Sequence, residues 1–385
     1  MATRTRIGFE GIRSFLESLF EGDVHAKRVY SMANATLGVL SSASLAVYAI
    51  GQGLAHTRGL ITKHAVKQVD RLLSNNEIDV WSYFGYWVPY VIGSREAIRV
   101  ALDWTEFDGD NHSTIMLSMV TRHGRATPLI WKSVLKSTLK NRRNDYEDRL
   151  LLRFKEVLPK GVHVTVLADR GFGDQKLFRF LRETLGFDFI IRIRGNITVT
   201  SAAGASRGAA QWVGKGGRAK LLRKARVTQD GYEVPTVVCV HDKDMKEPWC
   251  LVASDPQIKT REVVNAYGQR WSIEPSFRDC KDPRFGMGMK QTRIGSIQRR
   301  DRLWLISAFA IALLTLLGAA GESLGYDRLL KTNTTTKRVH SLFRQGYLLY
   351  ELIPTMPTKR LRPLLERFSE LLDEQPKLKQ VLGTI

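Results

Sequence analysis

An uncharged, apolar stretch near the C-terminal end is the feature that most limits how this chain can fold. Residues 303–320 read LWLISAFAIALLTLLGAA and contain no charged side chain. A helix of this length only just reaches the span of a bilayer, and Ser307, Thr315 and Gly318 interrupt its apolar surface. We therefore expect a helix that is buried on most sides in the core of a large globular protein. A membrane-spanning helix is the alternative.

The charge of the chain indicates a polyanionic partner. The 385 residues are 43% hydrophobic and 25% charged, which is typical of a globular protein with more than one structural unit. Lys and Arg number 59 against 38 Asp and Glu, so the formal net charge is +21. Such an excess is self-repelling unless a polyanion is bound, and nucleic acid is therefore favoured over a membrane surface.

The cysteines and the N-terminus bear on the location of the protein. Cys239, Cys250 and Cys280 lack CxxC spacing, which argues against a disulfide framework or a zinc site and fits a reducing compartment. The N-terminus shows no signal-peptide pattern. We expect a cytoplasmic protein.

The patterning predicts an α/β core flanked by helical regions. Three strands, a helix, a strand, a helix and a strand follow one another in the first part of the core. A Gly/Ala/Ser-rich stretch and an Asp230-Gly231 hairpin signal then indicate a β-rich insertion, and Pro235 suggests that the second hairpin strand is an edge or begins late. The predicted regions are, in order, a helical DNA-binding region, the first part of the core, the insertion, the second part of the core and a helical basic region: 1–95, 96–194, 195–250, 251–325 and 326–385.

The N-terminal region contains a helix–turn–helix-like arrangement over 44–53 and 60–73. The second segment has an apolar stripe formed by Ile61, Ala65, Val69, Leu72 and Leu73. Another face carries Lys63, Lys67 and Arg71. We interpret this face as one that contacts DNA ends; an ordinary amphipathic surface helix is the alternative.

A second candidate site lies in the stretch YGQRWSIEPSFRDCK, residues 267–281. Tyr267, Arg270, Glu274 and Lys281 have spacings that return to one face of an α-helix. A carboxylate suits a metal ion, and neighbouring cations suit a negatively charged substrate. The hypothesis is a metal-dependent phosphoryl-transfer site that acts on nucleic acid. Pro275 within this helix tends to kink it, which would move Lys281 off the face.

Two further carboxylates follow predicted strands. Asp103 comes after a strand over 98–102, and Asp169 follows a strand over 162–168. Acids at strand ends lie at the rim of a sheet, where sites commonly form. Together with Glu274 they would suit two Mg²⁺ ions, which prefer oxygen ligands and can activate an attacking oxygen and stabilise a leaving one.

Each of these acids has an alternative explanation. A strand-end or helix-face carboxylate is usually solvated. Glu106, Asp108 and Asp110 compete with Asp103 for the first position, but their turn-rich surroundings indicate loop residues.

The combined pattern resembles a known family. Tyr267-x2-Arg270-x3-Glu274-x6-Lys281 matches the Y-R-E-K signature of bacterial insertion-sequence DDE transposases of the cut-and-paste type. The sequence LADRGF, residues 167–172, resembles the family's second-aspartate motif, and Leu102-Asp103 resembles the first. The β-rich insertion is also similar to the family pattern. The resemblance covers roughly residues 50–320.

The resemblance implies a ribonuclease-H-like catalytic core, a DDE triad of Asp103, Asp169 and Glu274, and two Mg²⁺ or Mn²⁺ ions. It implies cleavage of transposon ends followed by joining to target DNA, with water and then a freed 3′-hydroxyl as nucleophiles. The implied partners are the double-stranded DNA of the terminal inverted repeats and of the target, and a second copy of the chain in the DNA-bound complex. A bacterial, nucleoid-associated protein without a membrane partner is expected.

The resemblance also implies DNA contacts. Cations near the cut would neutralise phosphates and a phenol would hydrogen-bond to one; these residues are Arg270, Lys281, Arg170 and Tyr267. In relatives that cut through a DNA hairpin, tryptophans hold a flipped base. Trp271 and Trp249 match those positions, and either could instead be a core residue.

Two other functions remain open from the sequence. One is a non-catalytic DNA-binding protein or repressor derived from a transposase. The other is a ribonuclease-H-like nuclease that cuts DNA without joining it.

Overall fold

The computed structural model describes residues 8–284 and 286–373 of the chain. Residues 1–7 and 374–385, which belong to the predicted helical end regions, lie outside the described residues, as does residue 285 in the Gly/Met-rich loop. The described part is a mixed α/β structure with one large, mostly antiparallel sheet.

Five helices, α1 to α5, form the N-terminal region: Phe9–Phe20, Ala26–Ser42, Val47–Arg58, Thr62–Ser74 and Val80–Ile92. In α4 the predicted apolar stripe is buried except at its start, and Lys63, Lys67 and Arg71 are exposed. The inclusion of Ile61 in that stripe is wrong, because Ile61 is the capping residue before the helix and is exposed. The DNA contact of this face stays a prediction.

Ten strands form a single sheet. Strands β1 to β10 are Ala97–Phe107, His112–Met119, Thr127–Leu135, His163–Ala168, Asp188–Ile193, Thr198–Thr200, Ser206–Gly208, Lys220–Val227, Tyr232–Val240 and Trp249–Ala253. Their order across the sheet is β3-β2-β1-β4-β5-β10-β9-β8-β6-β7. The pairs β1–β4 and β4–β5 are parallel, and the other described pairs are antiparallel.

The β-rich segment extends this sheet. Strand β10 returns beside β5 and pairs with it antiparallel, so β6 to β10 continue the layer that begins with β1. The Asp230-Gly231 signal does mark the turn between β8 and β9, where Gly231 adopts a φ of 68°. The expectation from Pro235 is wrong, because β9 is an interior strand that starts at Tyr232. Between Tyr232 and Cys239, its pairing register with β8 omits the position of the proline alone, which has no N–H to donate.

The remaining helices, α6 to α12, are Arg143–Val157, Gln175–Arg179, Thr260–Gln269, Ile273–Lys281, Ile297–Ser323, Leu342–Leu352 and Thr358–Asp373. Helix α7 continues as a wider π-helical turn over Phe180–Leu185. The predicted helix over 174–185 is thus present in two geometries.

The apolar stretch lies inside α10, the longest helix. Of its most apolar 18-residue window, 94% is buried inside the protein. Helices α2, α4, α11 and α12 and strand β3 all pack against it. Among the described residues α10 is the one helix long and apolar enough to cross a membrane, and α2 and α3 pass the same test only as a pair bent by 95°. The expectation of a buried core helix is confirmed.

Candidate active site

Asp103 lies in β1, and Asp169 directly follows the adjacent parallel strand β4. The register of β1 and β4 aligns Leu102 with Ala168, so the next residue on each chain is an aspartate. The two acids therefore come together as predicted. The strand end predicted at Asp103 is wrong, because β1 continues to Phe107 through its antiparallel pairing with β2.

The competing acids have other partners. Glu106 belongs to β1 and not to a loop, while Asp108 and Asp110 form a short 3₁₀ turn after it. Lys136 pairs with both Glu106 and Asp108, at 2.8 and 2.6 Å. Asp110 pairs with the fully buried Arg300. These ion pairs connect the end of β1 to the turn that follows β3 and to α10.

Asp103 is held in a low-dielectric position. Its Oδ1 accepts a hydrogen bond from the backbone N–H of Trp104 at 2.8 Å. Burial raises the pKa of Asp103 to about 6; Arg270 opposes this shift, and the charges of Asp169 and Glu274 add to it. The charges of Asp169 and Glu274 are therefore close enough to act on Asp103.

Asp169 shapes the turn that follows it. Its Oδ1 accepts a hydrogen bond from the backbone N–H of Gly171 at 2.7 Å, which caps the turn Arg170–Phe172. A Cβ at Gly171 would lie 3.0 Å from that same oxygen, and a Cβ at Gly173 would lie 2.9 Å from the carbonyl oxygen of Arg192. The glycines of this motif thus permit close packing beside the acid.

The helical stretch that carries Glu274 is not one straight helix. Helix α8 ends at Gln269, a 3₁₀ turn follows over Arg270–Ser272, and α9 begins at Ile273. Pro275 therefore lies in the first turn of α9, where the missing N–H costs nothing. In an unbroken helix its ring would clash with the carbonyl of Trp271. The prediction of one unbroken α-helix over residues 267–281 is therefore wrong, although Arg270 and Lys281 both contact β1.

Arg270 links two of the predicted triad acids. Its side chain is only 5% exposed, and its two terminal nitrogens lie 3.4 Å from Asp103 Oδ2 and 3.2 Å from Glu274 Oε1. The Nε atom is buried without a hydrogen-bond partner among residues 8–284 and 286–373. The predicted phosphate contact of Arg270 stays a prediction, whereas its contact with the carboxylates is a feature of this structure.

Aromatic side chains surround this guanidinium. Tyr267 is 1% exposed, and its ring meets that of Trp249 edge-on at 4.9 Å between centroids. Burial raises the pKa of the Tyr267 phenol, and the charge of Arg270 opposes that shift. Arg270 also lies 5.2 Å from the ring of Trp271, which is 47% exposed. Trp249 thus packs against the core, and Trp271 is open to a ligand.

Lys281 lies further along β1. Its Nζ donates to Thr105 Oγ1 and to the carbonyl of Glu106, both at 2.8 Å. Burial lowers the pKa of Lys281 to about 8. Its role at a DNA phosphate stays a prediction.

Several side chains that the motifs did not indicate support the site. Trp104 Nε1 donates to Glu147 Oε1 of α6 at 2.8 Å, and burial raises the pKa of that glutamate. The turn between β2 and β3 holds the back of α9 through an ion pair between Arg125 and Asp279. A buried acid on an amphipathic helix carries no local signal that distinguishes it from a solvated one.

The donor set fits divalent cations in chemistry, since carboxylate oxygens are the ligands that Mg²⁺ and Mn²⁺ prefer. Burial is the main cause of the raised pKa of Asp103, and a cation beside this carboxylate would favour its charged form. Across the described ranges, however, no three His, Cys, Asp or Glu side chains are close enough to hold one ion. Arg270 lies between Asp103 and Glu274, so all three acids could share ions only after that guanidinium moves.

The sequence of this chain is similar to a described family of proteins. The model described as "Transposase DDE domain" matches residues 101–313, which is more than half of the chain. The matched segment runs from β1 through the extended sheet and the split helix into α10. No curated protein matches the chain. Because the family model covers most of the sheet and all three acids, the chain belongs to the Transposase DDE domain family.

Proposed function

We propose that the chain is a DNA transposase that cleaves insertion-sequence ends and joins them to target DNA by two-metal phosphoryl transfer. The observation that carries the proposal is the alignment of Asp103 with Asp169 on adjacent strands, together with the link from Asp103 through Arg270 to Glu274. This arrangement lies within the segment that matches a transposase domain.

The sheet order supports a ribonuclease-H-like core. Strands β3, β2, β1, β4 and β5 are neighbours in that order, with β1, β4 and β5 parallel and β2 antiparallel to β1. Helix α6 connects β3 to β4. The insertion then follows β5 and extends the same sheet.

Asp103, Asp169 and Glu274 would hold two Mg²⁺ or Mn²⁺ ions. When bound, such ions activate the attacking oxygen and stabilise the leaving one. Arg270 lowers the net charge of the acid cluster before DNA binds, and after a shift of its side chain it would neutralise a phosphate near the cut. Tyr267, whose ring lies 5.7 Å from this guanidinium, would hydrogen-bond to a phosphate once the same shift exposes its buried phenol.

The remaining predicted contacts surround this centre. The exposed indole of Trp271 offers a stacking surface for an extruded base, and Trp249 supports Tyr267 from behind. Arg170 follows Asp169 in the sequence and Lys281 donates to Thr105 of β1; both would contact DNA phosphates near the acids. The exposed face of α4, formed by Lys63, Lys67 and Arg71, and the net charge of +21 suit a long DNA partner.

The chain would act in the bacterial cytoplasm at the nucleoid. Two DNA ends must be held together for cut-and-paste transfer, so a homodimer is expected in the DNA-bound complex.

Cleavage of the DNA that flanks the reading frame tests the proposal. Wild-type protein should cut the flanking terminal repeats in Mg²⁺ or Mn²⁺ and not in chelator, and Asp169→Ala should abolish cutting. Asp108→Asn, a change of a nearby acid that pairs with Lys136, is the matched control. Equal activity of wild type and Asp169→Ala would rule the assignment out.

A strand-transfer assay distinguishes a transposase from a nuclease and from a repressor. Transposition requires that the freed 3′-ends join a target plasmid. Cleavage without joining would indicate a nuclease, and DNA binding that survives chelator without cleavage under either metal would indicate a repressor.

A further inference from the structure

Arg192 lies in the same row as the two aspartates. Strand β4 aligns Ala168 with Leu102 of β1 on one side and with Ile191 of β5 on the other. The residues that come next are Asp103 in β1, Asp169 directly after the end of β4, and Arg192 in β5. A cation thus follows the two acids across the sheet, although β5 is about ninety residues from β1 in the sequence.

Arg192 and Arg170 converge on one carboxylate oxygen. Glu247 Oε2 accepts from Arg170 at 2.5 Å and from Arg192 at 3.0 Å. Two guanidinium groups repel each other, so an anion is needed to hold both at one point. Glu247 belongs to the turn between β9 and β10, and supplies that anion from the part of the sheet added after β5.

The two arginines differ in how firmly they are held. Arg192 is 15% exposed and also donates to the carbonyl of Pro248 at 3.1 Å. Its Nε is buried and lacks a hydrogen-bond partner within the described residues. Arg170 and Glu247 are 50% and 53% exposed. Arg192 is therefore held firmly in the protein, whereas the carboxylate of Glu247 is exposed to solvent and can be exchanged for another anion.

A backbone phosphate would satisfy this pair better than Glu247 does. Guanidinium groups bind phosphate through two parallel hydrogen bonds, and a phosphate offers more acceptor oxygens than the one that Glu247 uses here. The ion pair between Arg170 and Glu247 is half exposed. Exposed ion pairs contribute little to stability, so displacement of Glu247 costs little.

We propose that Arg170 and Arg192 form a binding site for a DNA backbone phosphate beside Asp169, and that Glu247 occupies this site until DNA displaces it. The proposal rests on the proposed function in taking DNA as the partner. It assigns Arg192 as a DNA contact and Glu247 as an internal competitor of the phosphate.

The test measures binding of a fluorescently labelled duplex of about 30 base pairs by anisotropy, in EDTA so that cleavage does not contribute, over a series of salt concentrations. Glu247→Gln should bind about two- to fivefold tighter than wild type, in keeping with the modest strength of exposed ion pairs. Asp244→Asn removes the same charge from the same turn without touching either arginine, and should bind more weakly than Glu247→Gln. Arg192→Gln should weaken binding and lower the salt slope by about 1.

Combined variants separate competition from general charge. In an Arg170→Gln, Arg192→Gln background the gain from Glu247→Gln should vanish, because no phosphate site remains to be freed. Arg192→Lys keeps the charge and should retain part of the affinity if Arg192→Gln fails to fold. Circular dichroism verifies folding of each variant.

The proposal is overturned if Asp244→Asn tightens binding as much as Glu247→Gln, or if both Arg192 variants fold and bind as wild type. Either result leaves metal-dependent cleavage intact and so leaves the proposed function standing. Wild-type protein that binds no duplex would overturn both. The expected binding pattern without any cleavage would contradict the proposed function alone.

Discussion

Arg270 lies 3.4 Å from the carboxylate of Asp103, a residue 167 positions earlier in the chain. The same guanidinium reaches Glu274, one helical turn further on. Without bound cations, the acid cluster is thus stabilised by a buried arginine from its own motif. The stability of the metal-free protein should therefore depend on the positive charge of Arg270.

Replacement of Arg270 by alanine should destabilise the metal-free protein by about 3 kcal/mol, because it leaves the largely buried Asp103 and the half-exposed Glu274 without their shared cation. Urea unfolding in EDTA measures this change. Arg99→Ala, which removes a hydrogen bond to Gln269 near the same turn, should cost less than about 1 kcal/mol. Equal effects of the two variants would contradict the role of Arg270.

Substitution of Trp249 and of Trp271 should change the free energy of unfolding by different amounts. Trp249 packs against the buried Tyr267, so Trp249→Ala should cost about 2 kcal/mol or more. Trp271 is exposed, and Trp271→Ala should change stability by less than about 0.5 kcal/mol. Fluorescence of 2-aminopurine placed at the cleaved DNA end would report base extrusion, which we expect Trp271→Ala to reduce. Normal extrusion in that variant would argue against stacking on this indole.

Asp301 should make stability depend on pH. This buried residue of α10 accepts a hydrogen bond from Ser133 N–H at 2.8 Å, and burial raises its pKa to about 6 from 3.8. Between those values the folded protein binds more protons at this site than the unfolded chain does. The penalty of the buried charge is therefore full above pH 6 and is relieved as the pH falls.

Asp301→Asn removes that titration. The variant should gain most in unfolding free energy, relative to wild type, at pH 7.5. At pH 5 this gain should be smaller by about 1.4 kcal/mol. Urea unfolding at the two pH values measures it. A difference that does not change with pH would show that Asp301 is not titrating in this range.

Helices α10 and α11 should not tolerate a side chain where they meet. A Cβ on Gly318 would overlap the carbonyl oxygen of Leu342, and one on Gly346 would overlap that of Leu314. Gly318→Ala should therefore destabilise the protein by about 2–3 kcal/mol. Gly85→Ala in α5, where no atom lies within 4 Å of the added Cβ, should stabilise it by up to about 1 kcal/mol. Thermal melts of the two variants should move in opposite directions.

Glu147 should support the strand that carries Asp103. Glu147→Ala leaves the indole N–H of Trp104 without its acceptor and should cost about 1–3 kcal/mol. Glu147→Gln retains an acceptor oxygen and should cost less than about 1 kcal/mol. Asp145→Asn, which changes an exposed acid on the same helix, serves as the control. If alanine and glutamine are equally damaging, the hydrogen bond is not the reason.

Local patterns predicted the elements well where a single segment decides its own structure. The buried helix α10 follows from the absence of charge in residues 303–320, and the turn between β8 and β9 follows from Asp230-Gly231. The ends of elements were predicted less well. Strand β1 continues beyond Asp103 because β2 pairs with it. Pro235 lies in an interior strand, at a position that donates no hydrogen bond to the neighbouring strand.

The 3₁₀ turn at Arg270–Ser272 is another element end that the local sequence predicted only in part. The presence of Pro275 indicated a disturbance, but its place depends on which residue begins the next helix. Proline is compatible with the first turn, so the break falls before it. Arg270, the first residue of the 3₁₀ turn, lies beside both Asp103 and Glu274.

By itself the sequence determined the chemistry available to this protein: three acids, a basic motif, two tryptophans and a large positive charge. The tertiary structure decided which of these groups meet. Parallel pairing of β1, β4 and β5 places Asp103, Asp169 and Arg192 in one row, and the return of β10 to β5 carries Glu247 to Arg170 and Arg192. Strand order and register arise from contacts between distant segments, and no local pattern specifies them.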